Sequence, residues 1–119
     1  MNELPSGATD LFERAYRHLL EETREVLPDT KLVLCEPFIL EVGTLADNWV
    51  GWSRKLSDYR EIVRQLSGEF GTVHVPLQAA FDRAASQTDA AYWLWDGVHP
   101  TAAGHALIAG EWLAAVKLF

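Results

Sequence analysis

The chain has 119 residues, a formal net charge of -7 at pH 7, and 49% hydrophobic against 23% charged residues. That length and balance fit one globular domain, residues 1–119, with a single core, and exclude a disordered chain. The acidic balance argues against nucleic acid, which needs a basic face. It argues equally against an anionic membrane surface. No run approaches the ~20 apolar residues of a membrane span. The single cysteine, Cys35, forms no internal disulfide, and MNELPSGATD has no basic segment followed by an apolar run. Together these point to a cytoplasmic setting.

Thr9 and Asp10 can cap a helix on which Leu11, Phe12, Ala15, Tyr16, Leu19, Leu20, Val26 and Leu27 recur at helical spacing, and Pro28 stops it. KLVLCE, residues 31–36, lies between a turn and Pro37 and reads as a strand buried on both faces. Residues 38–52 follow neither period and are expected to form a long surface loop. Leu56, Tyr59, Ile62, Val63, Leu66 and Phe70 share one face of a second helix, with Ser53 as its cap and Gly68 and Gly71 at its end. TVHVP, residues 72–76, is the second strand. Leu77, Ala80, Phe81 and Ala84 mark a short third helix, and residues 86–100 a second loop. Thr101 caps a last helix carrying Leu107, Ile108, Trp112, Leu113 and Val116.

Four helices alternating with two strands predict an α/β fold with a parallel sheet, because each crossover helix returns the chain to the same end of the sheet. Two strands are few where a sheet usually has about five. The sheet therefore needs extension or cover from elsewhere.

The loop before the last helix reads Tyr92-Trp93-Leu94-Trp95-Asp96-Gly97-Val98-His99-Pro100-Thr101. With Asp96 and His99 three apart in a turn, a carboxylate can reach the imidazole Nδ1–H, fixing the tautomer and leaving Nε2 as a general base. Gly97 permits the bend, and Pro100 sets the entry to the helix. Spacing alone leaves open a plain turn aspartate and an ordinary pre-helix histidine. His74, His105 and the Asp96–His99 pair match no zinc-ligand spacing, so neither a metal nor another cofactor is expected. His74 should point to the face opposite Val73 and Val75, and His105 should be hydrogen-bonded in the first turn of its helix. Cys35 reads as a buried small hydrophobe. Trp49, Trp52, Trp93 and Trp95 flank the two loops and either line a pocket or pack beneath them.

D-G-V-H-P-T-x-x-G-H, residues 96–105, resembles the C-terminal signature of the SGNH hydrolases, the GDSL esterases and lipases. L-V-L-C-E-P-F, residues 32–38, resembles their fourth-strand segment. The helix ending in E-F-G and the strand V-H-V-P-L-Q follow in the same order. The resemblance implies part of a flavodoxin-like α/β/α fold and serine-dependent hydrolysis of acyl or acetyl esters of small molecules or carbohydrates. It makes His99 the base and Asp96 its orienter.

The family's Gly-Asp-Ser nucleophile segment and its oxyanion glycine and Gly-x-Asn motif do not occur here. None of Ser6, Ser53, Ser57, Ser67 and Ser86 follows a strand on a sharp turn, Asn2 lacks the motif's context, and Asn48 lies in another loop. No nucleophile and no oxyanion donor is therefore assigned. The chain is expected to be the C-terminal half of such an enzyme and inactive alone. The alternative is a non-catalytic remnant, or a binding module whose sheet a partner chain completes. In either case the strand at 31–36 offers an open edge for self-association or a complementary fragment.

Overall fold

Two strands run parallel at the centre of the computed structural model, which describes residues 4–117. They are β1 (Val33–Cys35) and β2 (Val73–Val75), in the register Val33–Val73, Leu34–His74 and Cys35–Val75. Both are shorter than the apolar runs that encode them. Val73 N still donates to Leu32 O at 3.0 Å, and Glu36 N reaches Val75 O only at 3.4 Å. Beyond that point Pro37 and Pro76 carry no N–H to continue a ladder.

Around the strands stand four helices: α1 (Leu4–Val26), α2 (Trp49–Phe70), α3 (Leu77–Ala85) and α4 (Ala102–Val116). Side chains alternate across a strand, so neighbouring residues feed different layers. Leu34 packs with Leu20 of α1 and with Ile62, Val63 and Leu66 of α2. Val33 and Val75 pack instead with Leu77 and Phe81 of α3 and Leu107 and Ile108 of α4, together with Leu40 and Leu94. The result is an α/β fold of helix, sheet and helix layers, with four helices and two parallel strands.

Several sequence expectations need correction. The first helix begins at Leu4, ahead of Thr9 and Asp10, because Pro5 costs nothing in a first turn; Ser6 therefore lies in a helix. Residues 38–52 are not a long loop. Leu45 is buried and pins a 3-10 turn at Gly43–Asn48, and α2 starts directly after it at Trp49, leaving Ser53 inside the helix and not at its cap. At its far end α2 closes as expected on Gly71, at φ 65°, whose N–H reaches Ser67 O. Cys35 is exposed, not buried, because the outer edge of β1 has no neighbouring strand among the described residues.

The molecule measures 42 × 40 × 17 Å with a radius of gyration of 15.5 Å. A compact chain of this length has about 13.5 Å, so this is a slab, thin across one dimension. Among the described residues no helix is long and apolar enough to cross a membrane.

Candidate active site

The segment between α3 and α4 folds back on itself into a small closed turn. Gly97 N donates to Leu94 O at 3.0 Å and Trp95 N to His99 O at 3.1 Å, while Leu94, fully buried, bridges to Pro100. Gly97 sits at φ 91°, a conformation that only glycine adopts without strain.

Asp96 organises this turn with both carboxylate oxygens. Oδ1 accepts from Val98 N at 2.9 Å and His99 N at 2.7 Å, and Oδ2 pairs with His99 Nδ1 at 2.6 Å. These contacts hold the Asp96 carboxyl at about 2, below the 3.8 of a free side chain. The His99 backbone N–H is the largest cause. Partial desolvation opposes it, and the imidazole and the Val98 N–H add to the lowering. An ionised carboxylate only accepts, so Nδ1 carries the proton and donates it. In the neutral imidazole Nε2 then presents its lone pair, on a side chain 68% exposed.

Two neighbours seat the turn. Leu40 N donates to Gly97 O at 3.0 Å. A Cβ on Gly97 would stand 2.6 Å from Leu40 O and 2.6 Å from Leu45 Cδ1, so the turn lies directly on the segment after β1. On the other side Thr101 caps α4 as expected, accepting from Gly104 N at 3.1 Å and donating to Tyr92 O at 2.6 Å. Gly104 is required there, since a Cβ would fall 2.2 Å from Trp93 O.

The four tryptophans that flank the two loops separate. Trp95 is exposed and stacks on the His99 ring, centroids 5.9 Å apart and planes 24° apart. Trp93 packs into the α3/α4 layer and donates Nε1–H to Ala84 O at 3.1 Å. Trp49 and Trp52 lie on α2, the latter under Lys55.

His74 and His105 serve elsewhere. His74 pairs with Glu36 at 3.1 Å. His105 is exposed, and its backbone N–H donates to Thr101 O at 2.8 Å in the first turn of α4. Among the described residues no three His, Cys, Asp or Glu side chains gather as metal ligands would. Ser67 bonds Thr72 and Ser86 bonds Arg83 O, while Ser53 and Ser57 lie on α2. None hydrogen-bonds His99. Asn48 precedes α2 and packs on Gly51, and Asn2 lies outside the described residues.

Glu36 and Gln78 escape the sequence reading, although both are buried polar groups beside the segment that carries the turn. Their signal is faint: one glutamate closing a strand and one glutamine within the apolar stripe LQAAF.

The GDSL-like lipase/acylhydrolase family pattern matches residues 2–107. An acetylxylan esterase from Geobacillus stearothermophilus is 31% identical over 107 residues, 90% of this chain and 46% of that protein. A multidomain esterase from Ruminococcus flavefaciens is 26% identical over 118 residues, 98% of this chain and 14% of that protein. A structure assigned as a GDSL-like lipase from Parabacteroides merdae superposes with TM-score 0.86 at 41% identity, covering 93% of this chain and 50% of that one. The Geobacillus esterase structure gives TM-score 0.75 at 30% identity, over 90% of this chain and 46% of its own. Structures of that esterase include catalytic mutants at a serine and at a histidine. The chain spans about half the length of the acetylxylan esterase and of the Parabacteroides structure. With the family pattern matched over most of its length, the chain belongs to the GDSL-like lipase/acylhydrolase family.

Proposed function

We propose that this chain is the C-terminal half of a GDSL-type domain and supplies the base of a serine-dependent ester-hydrolysing site. The observation that carries this reading is the Asp96–His99 pair, bonded at 2.6 Å through Nδ1 with Nε2 directed away from its partner. In that role Nε2 takes the serine proton as the serine oxygen attacks the ester carbonyl, and later returns it to the leaving alcohol. Asp96 remains ionised throughout, holding the tautomer and stabilising the imidazolium that forms.

The serine and the oxyanion donors come, in this proposal, from a further polypeptide segment. The open edge of β1 is where such a segment adds a strand. Beside it lies an apolar groove of about 400 Å³ lined by Phe12, Tyr16, Cys35, Phe38, Tyr59 and Val63. The substrates proposed are acyl esters, acetylated carbohydrates foremost, a class supported by the acetylxylan esterase relative.

On this reading the 119 residues alone neither hydrolyse p-nitrophenyl acetate nor react with a fluorophosphonate at serine. Fluorophosphonate labelling of any serine of the chain that disappears in His99→Ala contradicts it. A chain that stays inert with any serine-bearing segment bound has a binding role instead.

A further inference from the structure

Gln78 is the second residue of α3 and is only 9% exposed. Its side-chain amide uses every hydrogen-bonding position it has. Oε1 accepts from Ile39 N at 2.9 Å and from Arg60 Nη1 at 3.2 Å. Nε2 donates to Ile39 O at 2.8 Å and to Asp82 Oδ1 at 2.9 Å. The Gln78 backbone N–H donates to Glu36 Oε1 at 2.9 Å, and the other Glu36 oxygen meets His74.

Among the described residues the segment after β1 has no strand partner, yet Ile39 is 5% and Leu40 4% exposed. Its buried backbone must be satisfied by something other than a ladder. Gln78 satisfies both the N–H and the C=O of Ile39. The next residue, Leu40, donates to Gly97 O in the Asp96–His99 turn. Ile39–Leu40 is thus a short bar with the α3 amide at one end and the turn at the other. Leu77 and Phe81, buried at 2% and 0%, fix α3 so that the amide stays aimed.

We propose that Gln78 is a positioning residue: by clamping Ile39 it sets where the Asp96–His99 turn stands relative to the ends of β1 and β2. The clamp does not make the Asp96–His99 bond, which is closed within its own turn. It sets the address of that bond in the fold. This inference rests on the reading of His99 as a base, because a base must meet its nucleophile at hydrogen-bond distance and a displacement near 1 Å can cost on the order of a hundredfold in rate. An apolar side chain at 78 would pack as well but leave two buried backbone groups of Ile39 unpaired.

Gln78→Met, close in shape but unable to bond, tests this by NMR on the 119-residue chain. The expected result is exchange of the Leu40 amide accelerated about tenfold or more, with the Gly97 and His99 backbone resonances displaced. The Nδ1–H resonance of His99 bonded to Asp96 persists, and α1 and α2 resonances stay native. A glutamate at 78 would set a carboxylate oxygen against Ile39 O and Asp82 Oδ1, so the second variant is Gln78→Ala, which removes all four bonds without adding a charge and moves the same signals. It decides the matter if the methionine variant does not fold. Native α1 and α2 signals with Leu40 exchange and the 97 and 99 resonances unmoved overturn the proposal. No substrate enters these readouts, so failure of the esterase reading shows separately, as lack of activity in a chain whose turn responds as expected.

Discussion

Asp96 concentrates three donors on one carboxylate, and that loading decides its charge. Its folded value of about 2 lies below the 3.8 of the free group. The lowered value means that the unfolded chain binds the proton more readily than the folded one between these limits. The stabilisation is full above the unfolded value and disappears as pH falls through about 2. A carbon-detected NMR titration of the Asp96 carboxyl should therefore have its midpoint near 2, and a midpoint at 3.8 would show the turn open in solution. This pair was legible in the sequence because its geometry is local: both partners, the permissive Gly97 and the following Pro100 fall within five residues. Gln78 was not legible. Its partner Ile39 is 39 positions away, and only the packing of α3 on the segment after β1 brings them together.

The elements whose period matched their burial were readable, and those whose burial depended on a neighbour were not. α3 buries Leu77, Ala80, Phe81 and Ala84, the stripe its sequence displays. By contrast α2 begins at Trp49, with Val50 and Trp52 exposed on its first turns, so no apolar face announces that it has started. α4 is apolar on nearly every side, a pattern of helices buried all round, yet Trp112 and Leu113 are exposed. The contact between the turn and the segment after β1 gives a sharp test at this scale. Gly97→Ala combines positive φ with two close approaches and should cost about 1–3 kcal/mol in a denaturant titration. Gly110→Ala on α4 meets nothing within 4 Å and should be stabilising by up to about 1 kcal/mol. Equal midpoints for the two variants would mean that the turn does not rest on Leu40.

At the scale of the molecule, the slab leaves apolar surface uncovered on both helix layers: Leu11 and Leu19 of α1 are 62% and 60% exposed, and Leu113 of α4 61%. With the unpaired edge of β1, this surface favours association, since covering it removes apolar area from water and satisfies backbone groups. Sedimentation should show concentration-dependent self-association, weakened by Cys35→Lys, which charges the exposed end of β1 without entering either core cluster. Val33 is unsuitable for that purpose because it packs against α3 and α4. A monomer at every concentration would argue that the edge is not a contact. The two parallel strands were readable from the two short apolar runs, but which faces stand open was not, because that depends on how the helices divide between the layers. The proposed role of His99 is that of the base in a site completed by a second segment. It is tested most directly by mixing the chain with the part of the Parabacteroides merdae protein that it does not match and measuring acetyl-ester hydrolysis. Background rates are expected from each part alone, activity and serine labelling in the mixture, and a return to background when the chain carries His99→Ala. A complex that forms by sedimentation yet hydrolyses nothing, or one whose activity survives His99→Ala, would contradict it.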